Sequence, residues 1–316
     1  MQVLSVLKRV PEDVKERMVN QYPSVDFRYC YGMEEGEDYL PEAEILITYG
    51  EDLNEEKIEK AKNLKWIMIM SAGMDRMPFS IIEEKDILVT NVRGIHAKPM
   101  AEYAIGMFLQ VAKRAKKLQQ QENASYWNRK LDFQELGGHT MVLLGTGAIA
   151  SETARLAKAF DMKTIGVSRS GKGKDNFDEV YRIEKLNAAL SEGDYVAAVL
   201  PSTEETRGLL QKEHFQAMPE HAVFLNMGRG DLVPEKTVSS AIEKGDIAHA
   251  VLDVMEEEPL PEDHPFWREE NITVTPHISG ITSGYLPRAF DIFDRNMKAY
   301  MNSDSMENVI DPERGY

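Results

Sequence analysis

The stretch HTMVLLGTGAIASETARLAKAFDMKTIGVSRS, residues 139–170, constrains the fold more than any other part of the chain. An apolar run ends on Gly145-Thr146-Gly147-Ala148-Ile149-Ala150, a helical pattern follows, and a second apolar run closes the unit. Strand, glycine turn, helix and strand in this order make a βαβ unit of a parallel sheet. Gly145 permits the tight turn, Gly147 lets the backbone approach a pyrophosphate, and the small Ala150 lets helix and strand pack closely. The first helical amides then face the phosphates of a dinucleotide. Thr146, Ala148 and Ile149 fill the same turn and are assigned to the cofactor with the two glycines.

The rest of the chain has the same texture. Before the glycine turn, VLSVL (3–7), EILITY (44–49), LKWIMIM (64–70) and DILVTNV (86–92) alternate with helical segments such as NEEKIEKAKN (54–63), whose acids come early and lysines late. After it come YVAAVL (195–200), AVFLNM (222–227), HAVLDV (249–254) and ITVTP (272–276), nearly continuous apolar runs of the kind buried on both faces. KPMAEYAIGMFLQVAKRAKKLQQQ (98–121) reads as one long helix crossing between two domains. The last helical pattern, YLPRAFDIFDRNMKAYM (285–301), lies beyond the second series and is free to return to the first domain. The expectation is α/β with two Rossmann-like or flavodoxin-like parallel-sheet domains and an interdomain active-site cleft. Residues 1–97 with 284–316 form a discontinuous substrate-binding domain, residues 98–283 the NAD(P)-binding domain, with hinges near 95–99 and 281–285.

Charge narrows the partners. With 37 Lys and Arg against 53 Asp and Glu, the net charge of −16 argues against broad nucleic-acid binding or an anionic membrane surface. The single Cys30 permits no intrachain disulfide, which is compatible with a reducing cytoplasm. The apolar start MQVLSVLKRV places its cations after the apolar run, the wrong order for a signal peptide. No metal is expected.

Local basic groups therefore matter. A dinucleotide site of the NAD type offers a carboxylate about 20 residues beyond the glycines. Here that place reads SRSGKGK, with Ser168, Arg169, Ser170, Lys172 and Lys174 and no acid. A hydroxyl beside guanidinium and ammonium groups suits a 2′-phosphate, so NADP(H) is preferred, with NAD(H) possible; the plain alternative is a solvated basic loop.

Two further strand ends carry reactive types. LNMGRGDLV sets Arg229 between glycines, and VLDVMEEEPLP brings Asp253, Glu256, Glu257 and Glu258 after a strand. TVTPHISG places His277 behind a proline, and on its own that histidine reads as well as a packing residue as a reactive one. An arginine fork binds a carboxylate, and a carboxylate beside a histidine holds its tautomer. Together they suit a keto acid.

GTGAIA, NMGRGDLV, LDVMEEEPLPEDHPFW and TVTPHISG stand in the order and approximate spacing of the D-isomer-specific 2-hydroxyacid dehydrogenases, which the chain resembles over nearly its full length. The resemblance implies that Arg229 binds substrate, that His277 is the acid/base and that Glu258 pairs with it. It also implies that the loop in MSAGMDRM holds the substrate carboxylate through Ser71, Ala72, Gly73 and Met74, with Asp75 as a buttress. Met100 and Glu102 fall near the cofactor entrance, and Leu200, Pro201 and Thr206 on the adenine side. Met227, Gly228, Asp253, His277 and Gly280 complete the cofactor surface. Glutamate rather than glutamine at 258 departs from the formate dehydrogenase branch, and SRS resembles the NADPH-using glyoxylate and hydroxypyruvate reductases. The expected reaction is reduction of a small 2-keto acid to the D-2-hydroxy acid by a homodimer joined through the nucleotide-binding domain. The alternatives are an NADH-dependent D-lactate or phosphoglycerate-type enzyme, and a dinucleotide-sensing regulator on the same fold.

Overall fold

The computed structural model describes residues 1–71 and 77–311. Two compact units emerge, one of Met1–Ile95 with the chain from Thr282 onward, the other His96–Ile281.

In the first unit, β1 (Gln2–Ser5), β2 (Asp26–Tyr29), β3 (Ile45–Thr48), β4 (Trp66–Ile69) and β5 (Leu88–Asn91) form a wholly parallel sheet in the order β2-β1-β3-β4-β5. Alternate residues go to opposite faces. Val3, Ile45, Ile47, Trp66 and Met68 pack into one core, and Leu4, Leu46, Ile67, Ile69 and Val89 into another. With an apolar layer on each side, neither face tolerates polar alternation, and the strands read as unbroken apolar runs. The helix Tyr285–Asn302 covers the first face with Ala289, Phe290, Phe293 and Met297, a 3-to-4-residue spacing that puts all four on one side. Trp66 stacks on Phe293 at 5.3 Å and donates its indole N–H to Thr90 Oγ1 at 2.8 Å, so it belongs to the core.

The second unit holds β6 (Thr140–Leu144), β7 (Lys163–Ser168), β8 (Glu179–Arg182), β9 (Tyr195–Ala198), β10 (Val223–Asn226), β11 (His249–Leu252) and β12 (Ile272–Val274). Their order, β12-β11-β10-β9-β6-β7-β8, is again all parallel. Strand order reverses between β6 and β9, so the carboxyl ends of those strands leave a crevice in which ligands of such sheets bind.

Two expectations of detail need correction. Residues 98–121 are not one helix: Ala97–Ala112 ends, Arg114 takes a left-handed φ of 54°, and a second helix runs Ala115–Asn123. The break is held from outside, because Arg114 Nε donates to the Asp132 carbonyl and Lys113 Nζ to that of Gln134. The other correction is that β2 and β8 escape the apolar pattern, since both are edge strands with half-exposed residues, DFRY and EVYR. Among the described residues no helix is long and apolar enough to cross a membrane.

Candidate active site

The glycine turn follows β6. Gly145 has φ 105°, and a Cβ there would touch Leu200 at 3.4 Å and the Val199 carbonyl at 3.5 Å, so glycine brings the ends of β6 and β9 together. Gly147 caps the helix Ala148–Ala159, and a Cβ added to it would meet no atom within 4 Å. The backbone of Gly147 and Ala148 is thus open to a ligand at a helix N-terminus, and Thr146 and Ile149 are half-buried beside it. Ala150 is buried with Ala154 and Ala157 against Ala104 and Phe108 of the preceding helix. The residues present fit a bound pyrophosphate.

Beyond β7 the backbone folds into a small nest of turns. Ser168 Oγ accepts from Gly171 N at 3.1 Å and Ser170 Oγ from Lys172 N at 3.3 Å, which leaves both hydroxyl hydrogens available. Arg169 is 86% exposed and, among the described residues, pairs with Glu205 at 3.4 Å. That contact links the basic loop to the Pro201–Thr206 turn, where Thr206 Oγ1 donates to the Pro201 carbonyl and accepts from Thr203 N. Lys172 is exposed, and Lys174 Nζ reaches back to donate to the Thr146 carbonyl. The basic loop and the glycine turn are therefore one surface.

The Arg229 segment is built by close backbone approach. A Cβ on Gly228 would lie 2.6 Å from the Leu200 carbonyl oxygen, and one on Gly230 only 1.8 Å from that of Met255. Both neighbours of Arg229 must be glycine. Buried Asn226 clamps the turn, donating to the Arg229 carbonyl at 2.9 Å and accepting from Gly228 N at 3.2 Å. Arg229 Nη1 donates to the Gly228 carbonyl, and among the described residues the guanidinium has no ion-pair partner. The Met227 side chain is buried in the core, so only its backbone is left for a ligand.

His277 sits 2.8 Å from Glu258, Nδ1 to Oε2. Glu258 is itself fixed, because its Oε1 accepts from Met255 N at 3.0 Å. His277 has φ 54°, a left-handed conformation that costs about 1 kcal/mol for a residue with a Cβ. Asp253, 1% exposed, holds it there: the Asp253 carbonyl accepts from His277 N, Oδ1 from Thr275 Oγ1 at 2.5 Å and Ile278 N at 2.9 Å, and Oδ2 from Ser279 N at 3.0 Å. With these bonds in place, the side chain serves the loop rather than a ligand directly. Because Thr275 donates to Asp253, the 2.6 Å contact with Tyr103 is a donation from the Tyr103 hydroxyl, whose ionisation burial pushes well above its usual range. Gly280 packs against His96, 2.8 Å from its Nδ1 to a Cβ at 280.

Asn226, Thr275 and Tyr103 were absent from the candidate set. Asn226 carries a legible signal, a polar residue ending an apolar strand, whereas nothing in the sequence joins Tyr103 to a threonine 172 positions away. Met100 packs on the core beside Ala104, and Glu102 is exposed. Ser71 lies in the first unit, its Oγ donating to the Tyr49 carbonyl at 3.2 Å. Ala72, Gly73, Met74 and Asp75 lie outside the described residues.

Comparison with known proteins extends this picture. Residues 105–279 match the family described as D-isomer specific 2-hydroxyacid dehydrogenase, NAD binding domain. A crystal structure of a D-isomer specific 2-hydroxyacid dehydrogenase family protein from Aeromonas salmonicida is 31% identical, with a TM-score of 0.83 over 98% of this chain and 99% of that one. An NADPH-dependent glyoxylate/hydroxypyruvate reductase from Sinorhizobium meliloti, in complex with NADP and sulfate, is 25% identical with a TM-score of 0.78 over 100% and 99%. D-3-phosphoglycerate dehydrogenase of Methanocaldococcus jannaschii is 30% identical over 86% of this chain but only 52% of its own.

Proposed function

The chain belongs to the D-isomer specific 2-hydroxyacid dehydrogenase family, and from that membership we propose that it reduces a small 2-keto acid of the glyoxylate or hydroxypyruvate type to the D-2-hydroxy acid with NADPH. The observation that carries this reading is the 2.8 Å pair of His277 and Glu258 on a loop held in a left-handed turn, with His277 Nε2 bonded to nothing among the described residues. Bound NADPH supplies a hydride to C2 of the keto acid, and Thr146–Ile149 with Ser168–Lys172 would hold it. Arg229 binds the substrate carboxylate and polarises the adjacent carbonyl, as a guanidinium fork without an ion-pair partner among the described residues can. His277 gives the Nε2 proton to the oxygen that becomes the alcohol. Glu258 accepts from Nδ1 and fixes ring orientation and tautomer. Asp253, with Thr275 and Tyr103 behind it, keeps the backbone of His277 in place.

The preference for NADPH rests on the missing acid and on three groups around one turn, Ser168, Arg169 and Lys172. The similarity to an NADP-bound reductase from Sinorhizobium meliloti supports it. The unit that binds the dinucleotide also carries the surface for a second copy: Leu118, Tyr126, Trp127 and Phe133 line a groove of about 790 Å³, and Trp127 is 90% exposed. The working form is a homodimer joined there.

Initial rates of NADPH oxidation, with NADH in parallel, against glyoxylate, hydroxypyruvate, pyruvate and phenylpyruvate test the proposal. Fast NADPH-dependent turnover of the two small oxygenated acids is expected. Turnover with NADH alone, or with phenylpyruvate alone, would refute it.

A further inference from the structure

Within the second unit, a cavity of about 580 Å³ opens at the far end of the sheet from the candidate active site. Its walls come from the end of the helix Ala97–Ala112, the helix Ala115–Asn123, the starts of β11 and β12 and the turn before β12. His249 opens β11, whose other end leads to Asp253, so the length of a strand separates this cavity from the loop of His277. Its volume falls in the range of small-molecule sites. Lys116, Lys117 and Gln120 face the cavity, whereas Leu118, Gln121 and Glu122 of the same helix face the aromatic groove, so the two openings lie on opposite sides of that helix.

The charge of the cavity runs against that of the chain. Arg114, Lys116, Lys117 and Arg268 line it with Glu269 and Glu270 as the acids, a surplus of two positive charges in a protein of net charge −16. Lys117 pairs with Glu270 at 2.8 Å, while Lys116 and Arg268 form no ion pair among the described residues. Lys116 turns its ammonium onto the Ile272 carbonyl at 2.6 Å, where burial draws its pKa below the usual lysine range against a partial offset from Glu270. His249 is 8% exposed and has Nε2 at 2.9 Å from Thr273 Oγ1, and its Nδ1 makes no hydrogen bond among the described residues. Burial first, then Lys116 and Arg114, keep that imidazole neutral. A wall whose own cations discharge a histidine is a wall short of anions.

We propose that this cavity binds a small phosphate monoester, its phosphate held by Lys116 and Arg268 with Arg114 and Lys117 around it. A phosphate monoester carries close to two negative charges near neutral pH and offers three acceptor oxygens, which answers both the surplus charge and donors arriving from separate elements. Lysine and arginine only donate, so a neutral ligand of the same size leaves them as they are. Room for the organic part lies along Trp267, about half exposed, whose indole N–H is already given to the Pro261 carbonyl and whose ring is left as an apolar wall. This binding requires no turnover and stands apart from the keto-acid reading.

The test is calorimetric titration of the full-length protein with glycerol 3-phosphate, with succinate and glycerol in parallel. One site per chain is expected for glycerol 3-phosphate, bound about tenfold or more tighter than succinate, with no binding of glycerol. Arg268→Gln changes an exposed side chain that makes no hydrogen bond among the described residues, and it should weaken the phosphate by about threefold or more; Lys116→Gln added to it should take the loss beyond about tenfold. Arg169→Asp, on the basic loop after β7, should leave the affinity within about twofold. Full affinity in Arg268→Gln and in the double variant, or a loss in Arg169→Asp alone, would put the anion elsewhere and overturn the proposal. Succinate binding as tightly as glycerol 3-phosphate would overturn the ligand class, and no binding of either would overturn the site.

Discussion

His277 and Glu258 meet at 2.8 Å although each is held from elsewhere, the histidine by Asp253 through its own backbone and the glutamate by the amide of Met255. The pair is preorganised. Neither side chain has to be ordered when substrate arrives, and the left-handed strain at His277 is balanced by bonds to one buried carboxylate.

Removing the imidazole should therefore affect chemistry far more than binding. His277→Ala is expected to lower kcat/KM by about 10²–10⁴-fold, the usual worth of a positioned acid, while NADPH binding followed by fluorescence stays within about twofold. Glu258→Gln puts a donor where Nδ1 needs an acceptor and should lose a smaller factor, in kcat more than in KM. Near-normal turnover in His277→Ala would remove it from the mechanism.

Arg169 is 86% exposed and its one ion pair among the described residues is with Glu205, so its replacement disturbs little else. Arg169→Asp takes a charge-assisted bond of about 1.5–3 kcal/mol from a 2′-phosphate and sets a like charge against it. NADPH affinity should fall tenfold or more while NADH affinity holds or improves, as titrated by fluorescence quenching. Equal weakening of both cofactors would make the loop structural only.

Both sheets were legible in the chain because every central strand is buried on two faces and so is spelled by an unbroken apolar run, as in Ile45–Thr48 or Val223–Asn226. Two of the edge strands were not, since DFRY and EVYR face solvent on one side and carry no such run, whereas the edge strands β5 and β12 keep one. In the site, glycines announce close approach: Gly228 and Gly230 face the backbone at Leu200 and Met255, and a motif records that need directly. Asp253 was legible as an acid at a strand end but not as the anchor of His277, because its bonds to that loop go to one threonine hydroxyl and otherwise to amides, which any sequence supplies. Lys113 and Arg114, both good helix formers, end a helix with their side chains bonded to the carbonyls of Gln134 and Asp132, a tertiary effect that local pattern does not contain.

His249 gives a stability test independent of catalysis. It is 8% exposed, its Nε2 stands 2.9 Å from Thr273 Oγ1, and burial, with Lys116 and Arg114 adding, pushes its pKa down to about 4. Unfolded, it titrates near 6.5, so between pH 6.5 and 4 the unfolded chain binds more protons than the folded one. Its neutral burial is harmless above pH 6.5 and becomes destabilising as pH falls toward 4, by about 2–3 kcal/mol in all. Acidic groups with lowered pKa values, Asp178 and Glu192 among them, act in the same direction. The comparison that isolates the histidine is urea unfolding of wild type and His249→Gln at pH 7 and 4.5: the variant should lose less stability over that interval, and equal losses would show that His249 does not titrate there.

The exposed aromatic groove makes the last prediction. A tryptophan buries roughly 150–250 Å² when covered, about 4–6 kcal/mol by area, and in a two-fold interface each Trp127 contributes once per copy. Trp127→Arg leaves the fold of its own unit untouched, since the side chain is 90% exposed and packs on little within it. Light scattering after size exclusion should find wild type as a dimer at micromolar concentration and Trp127→Arg as a monomer, with an unchanged melting transition for NADPH-bound protein extrapolated to low concentration. Because the groove lies on the unit that carries Arg229, Glu258 and His277, the monomer should still bind NADPH. A Trp127→Arg variant that stays dimeric would place the contact between copies elsewhere on the surface.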